Sequence, residues 1–363
     1  MNISIIGSDG FIAKNFFHFV KNEKKVNKIY LINKKTTKID FLNFIKLSDK
    51  IFVFAGINRT TTKSNYSQNL KILKEIISVI HNKKKIFFMS SIQSSNNSSY
   101  GKSKKKCEEY LLNLYARKII DLKIYKLPNI FGKWSKPNYN SVVATFCYNI
   151  INNKTLKIKK NKNINLLYID DLIKLIISDL KKKSDKKIIC DKFKNIFKIN
   201  VLRLKKILFD IHKNYKSKII INYNLKLYKY LYSTYLSYLS NKDYKYLVTD
   251  IKKNKNGSFL ELFKSKYFGQ ISLLEVRGKN TRGNHFHHTK FEKFLVIHGK
   301  LKYVSKSMID NNKFSTIIDS NKISIVNTIP GHFHYLENFS KRPAKVLIWS
   351  NEIFNKNVPD TFN

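Results

Sequence analysis

Residues 283–292 read Gly-Asn-His-Phe-His-His-Thr-Lys-Phe-Glu, and Gly331-His332-Phe333-His334 follows some forty residues later. Side chains alternate along a β-strand with period two, so His285 and His287 present their rings on one side of an extended segment. Glu292, arriving on the next strand, closes a third corner, and His334 supplies a fourth. Imidazole nitrogens with one carboxylate suit zinc, iron, manganese or nickel, so the donor set specifies a transition metal without choosing among them. A lone His-x-His is commonly a pair of solvated rings. Glu292 and His334 at compatible spacing turn the reading toward a metal. His288, His298 and His332 are left as solvated or supporting rings.

A second chemistry lies in the amino-terminal half, in Tyr100-Gly101-Lys102-Ser103-Lys104. Four residues apart on a helix, Tyr100 and Lys104 share a face. An ammonium there lowers the pKa of the phenol and makes it a usable general acid or base. The elements that would carry this pair are readable. The apolar run 3–6 leads into a turn containing Gly7, Asp9 and Gly10, and Phe11 and Ile12 then open a helix. Glycines in such a turn let backbone N–H groups approach a pyrophosphate at the positive end of the helix. A second strand, 28–33, ends without the acidic residue that would bind ribose hydroxyls. It runs instead into Lys34 and Lys35, either of which could neutralise a 2′-phosphate, and this favours NADPH over NADH. The strand from 51 ends in Ala55-Gly56-Ile57-Asn58-Arg59, and the strand from 85 ends in Ser90-Ser91. Strands alternating with helical segments predict a doubly wound parallel sheet.

These residues resemble the extended short-chain dehydrogenase/reductase family, which has a Rossmann-like α/β fold. By that resemblance Tyr100 exchanges a proton with the substrate oxygen, and Lys104 tunes it and contacts the nicotinamide ribose. Ser91 orients the substrate oxygen, with Ser90 as the alternative. Ala55, Gly56 and Pro128 join Gly7, Asp9, Gly10, Phe11, Ile12 and Lys34 around the cofactor. Asn58, Arg59, Asn129, Lys133 and Asn138 lie toward a nucleotide-sugar substrate. The carboxyl-terminal third resembles the cupins, whose fold is an all-β double-stranded β-helix or jelly-roll. That likeness rests on Gly278, His285, His287, Glu292, Gly299, Gly331, His334 and Asn338, although Pro330 directly precedes Gly331 where the family pattern has Pro-x-Gly. The join is expected between a reductase domain, 1–245, and a metal-binding cupin domain, 250–363.

A reductase fused to a cupin, together with segments 131–147, 231–239 and 351–362, is similar to a family of capsular polysaccharide precursor enzymes. The resemblance implies a bifunctional enzyme of the UDP-N-acetyl-L-fucosamine pathway. Its cupin would epimerise C3 of a UDP-linked 4-keto-6-deoxy-N-acetylhexosamine. Its reductase would reduce the C4 ketone with NADPH to UDP-2-acetamido-2,6-dideoxy-L-talose. It implies a divalent transition metal, zinc first among the candidates, and a homodimer. Two other readings stay open: an epimerase or dehydratase that recycles tightly bound NAD, and a cupin that dimerises or senses a ligand without chemistry.

Composition narrows the classes. At 363 residues the chain can bury two cores. Its 70 basic and 24 acidic residues leave a net +46, but lysine runs through every segment and arginine is scarce. Base-reading proteins concentrate charge on one face and favour arginine, so no specific nucleic-acid partner is expected. No apolar stretch of about eighteen residues occurs, and the first residues enter a strand directly, so a cytoplasmic protein without membrane insertion is expected. Cys107, Cys147 and Cys190 stand far apart, which indicates neither a disulfide framework nor a thiolate metal cluster.

Overall fold

Short β-branched and aromatic runs separated by capped helices build the amino-terminal part of the chain. In a computed structural model the described residues are 1–58, 66–158, 161–182, 188–243, 249–310 and 312–363. They divide into two units, residues 1–208 with 230–238, and residues 209–229 with 239–363.

The first unit runs β1 (Asn2–Ile6), α1 (Phe11–Val20), β2 (Lys28–Ile32), α2 (Lys38–Leu47), β3 (Lys50–Val53), α3 (Gln68–Ile77), β4 (Lys85–Ser91) and α4 (Ser99–Ala116). It continues through β5 (Asp121–Leu127), β6 (Asn129–Phe131), α5 (Val142–Ile151), β7 (Asn163–Tyr168), α6 (Ile169–Lys181), β8 (Ile189–Cys190) and β9 (Phe197–Asn200). A six-stranded sheet in the order β2-β1-β3-β4-β5-β8 is parallel throughout. Helices cover both faces of such a sheet, so its strands read as continuous apolar runs. Ile3, Ile5, Ile51, Phe52, Ile86 and Phe87 are accordingly buried. Helix starts are specified locally: Thr37, Ser98 and Ser141 each accept a backbone N–H of the first turn. The chain leaves β1 for β2 on one side and returns to β3 on the other. The strand order therefore reverses at the carboxyl ends of β1 and β3, the position at which open α/β sheets form a ligand crevice. Strand β7 joins β6 in parallel and β9 antiparallel in a small separate sheet.

Helices α7 (Val201–Lys216) and α8 (Lys226–Leu236) follow, and the division between units falls within them. The expected join at 245–250 overlaps residues 244–248, which lie outside the described residues. By contact, residues 209–229 group with the carboxyl-terminal unit, where Ile220 N donates to Lys264 O at 2.8 Å.

The second unit consists of β10 (Lys252–Asn254), β11 (Gly257–Ser265), β12 (Gly269–Val276), β13 (Thr281–His285), β14 (Glu292–His298), β15 (Lys300–Ser307), β16 (Lys313–Asp319), β17 (Ile325–Asn327), β18 (His332–Glu337) and β19 (Ala344–Ser350). They form two antiparallel sheets, β10-β11-β12-β19-β14-β17 and β13-β18-β15-β16. Leu274, Phe294 and Val346 from the first sheet and Leu301, Tyr303 and Leu336 from the second meet in one core. Alternate residues of β19 are buried, the period of a strand with one face inward. No helix among the described residues is long and apolar enough to cross a membrane.

Candidate active site and metal centre

The turn after β1 brings two strand ends together. Gly7 has φ +81°, and a Cβ on it would lie 2.7 Å from the backbone of Ala55 at the end of β3. Only glycine permits both that conformation and that approach. Gly7 N donates to Ile32 O at 2.8 Å and Ala55 N to Ile6 O at 2.9 Å, which locks the turn to the sheet. Gly10 is the N-cap of α1 and provides no side-chain cap. The first-turn N–H groups of that helix, including those of Phe11 and Ile12, therefore face the crevice as donors for an anion, and the turn fits a pyrophosphate. Asp9 Oδ1 takes a hydrogen bond from Asn33 Nδ2 at 3.4 Å. Lys34 is exposed just beyond β2.

Tyr100 reaches Ser91 despite the short gap between them. A 3₁₀ turn, Ile92–Ser95, folds the connection back, and Gly101 lies against it so closely that a Cβ would stand 2.2 Å from Gln93 O. Ser91 accepts from Gln93 N at 3.1 Å and shares a side-chain hydrogen bond with Tyr100. Ser90 is engaged elsewhere, donating to Glu108, whose other oxygen lies 3.1 Å from Lys126 Nζ. Burial pushes the Tyr100 phenol up to about 12, against the opposing effect of the Ser91 bond, and the neighbouring phenols Tyr66 and Tyr139 raise it further. The expected lowering by Lys104 is absent. The ammonium donates to Met89 O at 2.8 Å, and burial brings its own pKa down to about 8. A phenol so raised holds its proton and is suited to donate it.

Around Lys104 the end of β3 closes in: a Cβ on Gly56 would lie 3.2 Å from Lys104 Nζ and 3.9 Å from Asn58 Oδ1. Asn69, buried and not anticipated from the sequence, orders this corner. Its Oδ1 accepts from Ile57 N at 2.7 Å, and its Nδ2 donates to Ser103 Oγ at 3.1 Å. An asparagine at a helix start has no local signal that distinguishes it from a solvated one. Arg59 lies outside the described residues. The remaining candidates flank β5 and β6 and are held by other partners. Pro128 links the two strands, Asn129 Nδ2 donates to Asn165 O at 3.2 Å, and Lys133 Nζ pairs with Asp170 at 2.5 Å. Asn138 adopts φ 55° in the exposed loop, beside Tyr139.

In the second unit the four candidate ligands converge from both sheets. One donor atom each from His285, His287, Glu292 and His334 lie within 4.8 Å of one another. His285 and His334 face each other across the β13–β18 ladder, and Glu292 opens β14 opposite Ser350 of β19. Strand β13 has a bulge between Gly283 and His285 and ends at His285, so His287 stands in the connection rather than on the strand itself. Gly331 takes φ 74° and donates to His287 O at 2.7 Å, so the turn forms without the family spacing of its proline.

The electrostatics suit a cation. His287 Nδ1 and His334 Nδ1 each meet a backbone carbonyl, of Asp360 and His332 respectively. A carbonyl only accepts, so both rings carry the proton on Nδ1. Their Nε2 atoms are buried without a hydrogen-bond partner, an arrangement that costs free energy unless a ligand compensates. Burial lowers His285, and it brings His334 down to about 4, so both rings are neutral at pH 7. Burial alone would raise Glu292. His287 beside it, the Lys290 ammonium at 3.1 Å and the Ser350 hydroxyl at 2.8 Å outweigh that and hold the carboxyl well below its usual range. Three imidazoles and one carboxylate fit a divalent transition metal. His285, Glu292 and His334 also line a cavity of about 240 Å³, with Arg282, Lys290 and Phe294 among its walls.

Comparison with known proteins places this geometry. Residues 252–362 match the family described as polysaccharide biosynthesis C-terminal domain. Over 278 residues, 76% of this chain and 74% of the relative, the sequence is 34% identical to a UDP-2-acetamido-2,6-beta-L-arabino-hexul-4-ose reductase of Pseudomonas aeruginosa. The crystal structure of the capsular polysaccharide assembling protein CapF from Staphylococcus aureus is similar with a TM-score of 0.90 at 30% identity, covering 100% of this chain and 99% of that one. A UDP-N-acetylglucosamine 4-epimerase from Methanobrevibacter ruminantium, 17% identical with a TM-score of 0.53, covers 65% of this chain and 97% of its own, and shares the fold alone. With a reductase-type parallel sheet, an antiparallel carboxyl-terminal unit and likeness along its whole length, the chain belongs to the CapF family of capsular polysaccharide assembling proteins.

Proposed function

We propose that the chain is a bifunctional nucleotide-sugar enzyme of surface polysaccharide synthesis, acting on a UDP-linked 4-keto-6-deoxy-N-acetylhexosamine. The carboxyl-terminal unit inverts C3 and the amino-terminal unit reduces C4, giving UDP-2-acetamido-2,6-dideoxy-L-talose. The observation that carries the reading is the presence of two separate constellations on one chain: a protonated Tyr100 bonded to Ser91, and a buried His285-His287-Glu292-His334 cluster beside a cavity. The reductase relative, named for a hexul-4-ose, supports the ketone as substrate.

In the amino-terminal unit the turn of Gly7 and Gly10 holds the dinucleotide, and Ser91 hydrogen-bonds the ketone oxygen. Tyr100 passes its phenolic proton to that oxygen while Lys104 keeps a positive charge behind it. Reduced nicotinamide, when bound, supplies the hydride that C4 receives. A C–H next to a ketone is acidic because the resulting enolate delocalises onto oxygen, so C3 can lose its proton from one face and regain one on the other. In the carboxyl-terminal unit His285, His287, Glu292 and His334 would hold a divalent metal. Such an ion, when bound, draws electron density from a ketone oxygen. The reading includes NADPH, supported by exposed Lys34 and the lack of an acid at the end of β2, and zinc as the metal. It also includes cytoplasmic action and a homodimer, for which exposed Phe314 and Ile317 on the edge strand β16 offer apolar surface.

The test mixes the purified chain with the UDP-ketose and NADPH in deuterated water. NADPH consumption with deuterium at C3 is the expected outcome. Consumption without deuterium reduces the carboxyl-terminal unit to a structural module, bound NAD with no net consumption supports the cofactor-recycling epimerase, and an unreactive ketose removes the reductase assignment.

A further inference from the structure

The last described residues return to the loop that carries His287 and leads into Glu292. Phe286 N donates to Phe362 O at 2.8 Å, and Phe362 N donates to Phe286 O at 3.0 Å. One oxygen of Asp360 accepts from His288 N at 2.8 Å. The other accepts from Thr289 N at 2.7 Å, Thr289 Oγ1 at 2.9 Å and Lys290 N at 2.7 Å. Three successive backbone N–H groups thus converge on one carboxylate, a concavity suited to an anion. The Asp360 carbonyl accepts from His287 Nδ1. Phe362 packs edge-on against His288, with ring centroids 4.8 Å apart. Residues 360–362 therefore contact every residue from His287 to Lys290, by hydrogen bonds from the His287 ring, three backbone N–H groups and the Thr289 hydroxyl, and by ring packing on His288.

The consequence for the site is geometric. Residues 286–291 join β13 to β14 with no strand pairing of their own beyond the Phe286–Phe362 bridge. Gly331 N holds the His287 carbonyl at 2.7 Å, and the tail holds its ring. The Asp360 carbonyl selects the Nδ1–H tautomer, which leaves the buried, unpartnered Nε2 turned toward the other three donors.

We propose that Asp360–Thr361–Phe362 is a positioning element of the metal centre, fixing the tautomer and direction of His287 and the loop that ends at Glu292. Metal binding and tail docking then stabilise one another by the same factor. The inference rests on the reading of the four-residue cluster as a metal site, and zinc binding by the parent chain tests that reading separately.

The experiment compares the parent chain with Asp360→Ala and Asp360→Asn. Zinc affinity is measured by competition with a chromogenic chelator, the visible spectrum is recorded with cobalt(II), and the melting temperature is taken without metal. Zinc affinity should fall roughly 10- to 100-fold in Asp360→Ala and less in Asp360→Asn, with an altered cobalt spectrum. A variant that melts lower without metal but keeps parental zinc affinity and cobalt spectrum overturns the proposal, because the tail is then a structural strap. Should Asp360→Ala fail to fold, amide hydrogen exchange on the parent decides: zinc slows exchange in the peptide containing Phe362, or it leaves that peptide unchanged and the proposal falls. A parent chain that binds no zinc defeats the metal reading itself.

Discussion

Burial acts on Tyr100 and Lys104 in opposite directions, raising the phenol to about 12 and lowering the ammonium to about 8. Tyr100→Phe keeps the ring and removes the hydroxyl with its proton, so kcat for ketone reduction should fall about 100- to 10,000-fold while dinucleotide affinity is unchanged, measured by single-turnover kinetics and fluorescence titration. Lys104 carries a stability consequence. Its folded pKa lies below its ordinary 10.5, so between about 8 and 10.5 the unfolded chain binds more protons than the folded one. The cost of burying the ammonium is complete below pH 8, and the stability contributed by this group rises with pH through that window. Urea unfolding of the parent and of Lys104→Met at pH 7 and pH 10 checks this: the gap between the two should narrow at the higher pH. At this scale the sequence already marked Tyr100 and Lys104, because helical spacing is local. The choice between Ser90 and Ser91 was not legible. It depends on where each side chain points at the end of β4, and the packing of α4 gives Ser90 to Glu108 and Ser91 to Tyr100.

The turn between β1 and α1 is specified by its neighbours twice, once by φ and once by Ala55. Gly7→Ala should destabilise the chain by about 1–3 kcal/mol and weaken dinucleotide binding, since relief of the clash moves the α1 amino terminus away from β3. Thermal melts and a cofactor titration on the same sample check both effects. The glycine turn and the strand before it were readable because apolar runs and turn residues are neighbours in sequence. The loop carrying the candidate ligand His287 was only partly so. Period-two alternation places His285 and His287 on one side of an extended chain, but β13 ends at His285 and leaves His287 in the connection. What then orients it is Asp360, some seventy residues away. Nothing about an aspartate in a short polar segment reveals that partner, because the hydrogen bonds exist only after both sheets have formed.

For the whole molecule, two units with separate cores predict separable chemistry. Chelation should abolish deuterium exchange at C3 while reduction of the already inverted ketose proceeds at the parental rate, followed by NADPH absorbance and NMR on the two substrates. Loss of both activities on chelation would show that the reductase depends on the metal-bearing unit.

The amino-acid sequence by itself determined the strand–glycine turn–helix opening and the alternation that follows it, the reductase-like and cupin-like halves, and the residue types able to ligate a metal or move a proton. These follow from periodicity, caps and turns, which act over a few residues. The tertiary structure alone decided the sheet order with its reversal beside β1, the grouping of 209–229 with the second unit, and the upward shift of Tyr100. It also decided the approach of His334 to His285 and the docking of Asp360 on His287. Each of these is a contact or a desolvation between segments far apart along the chain, and such terms exist only once the intervening chain has packed.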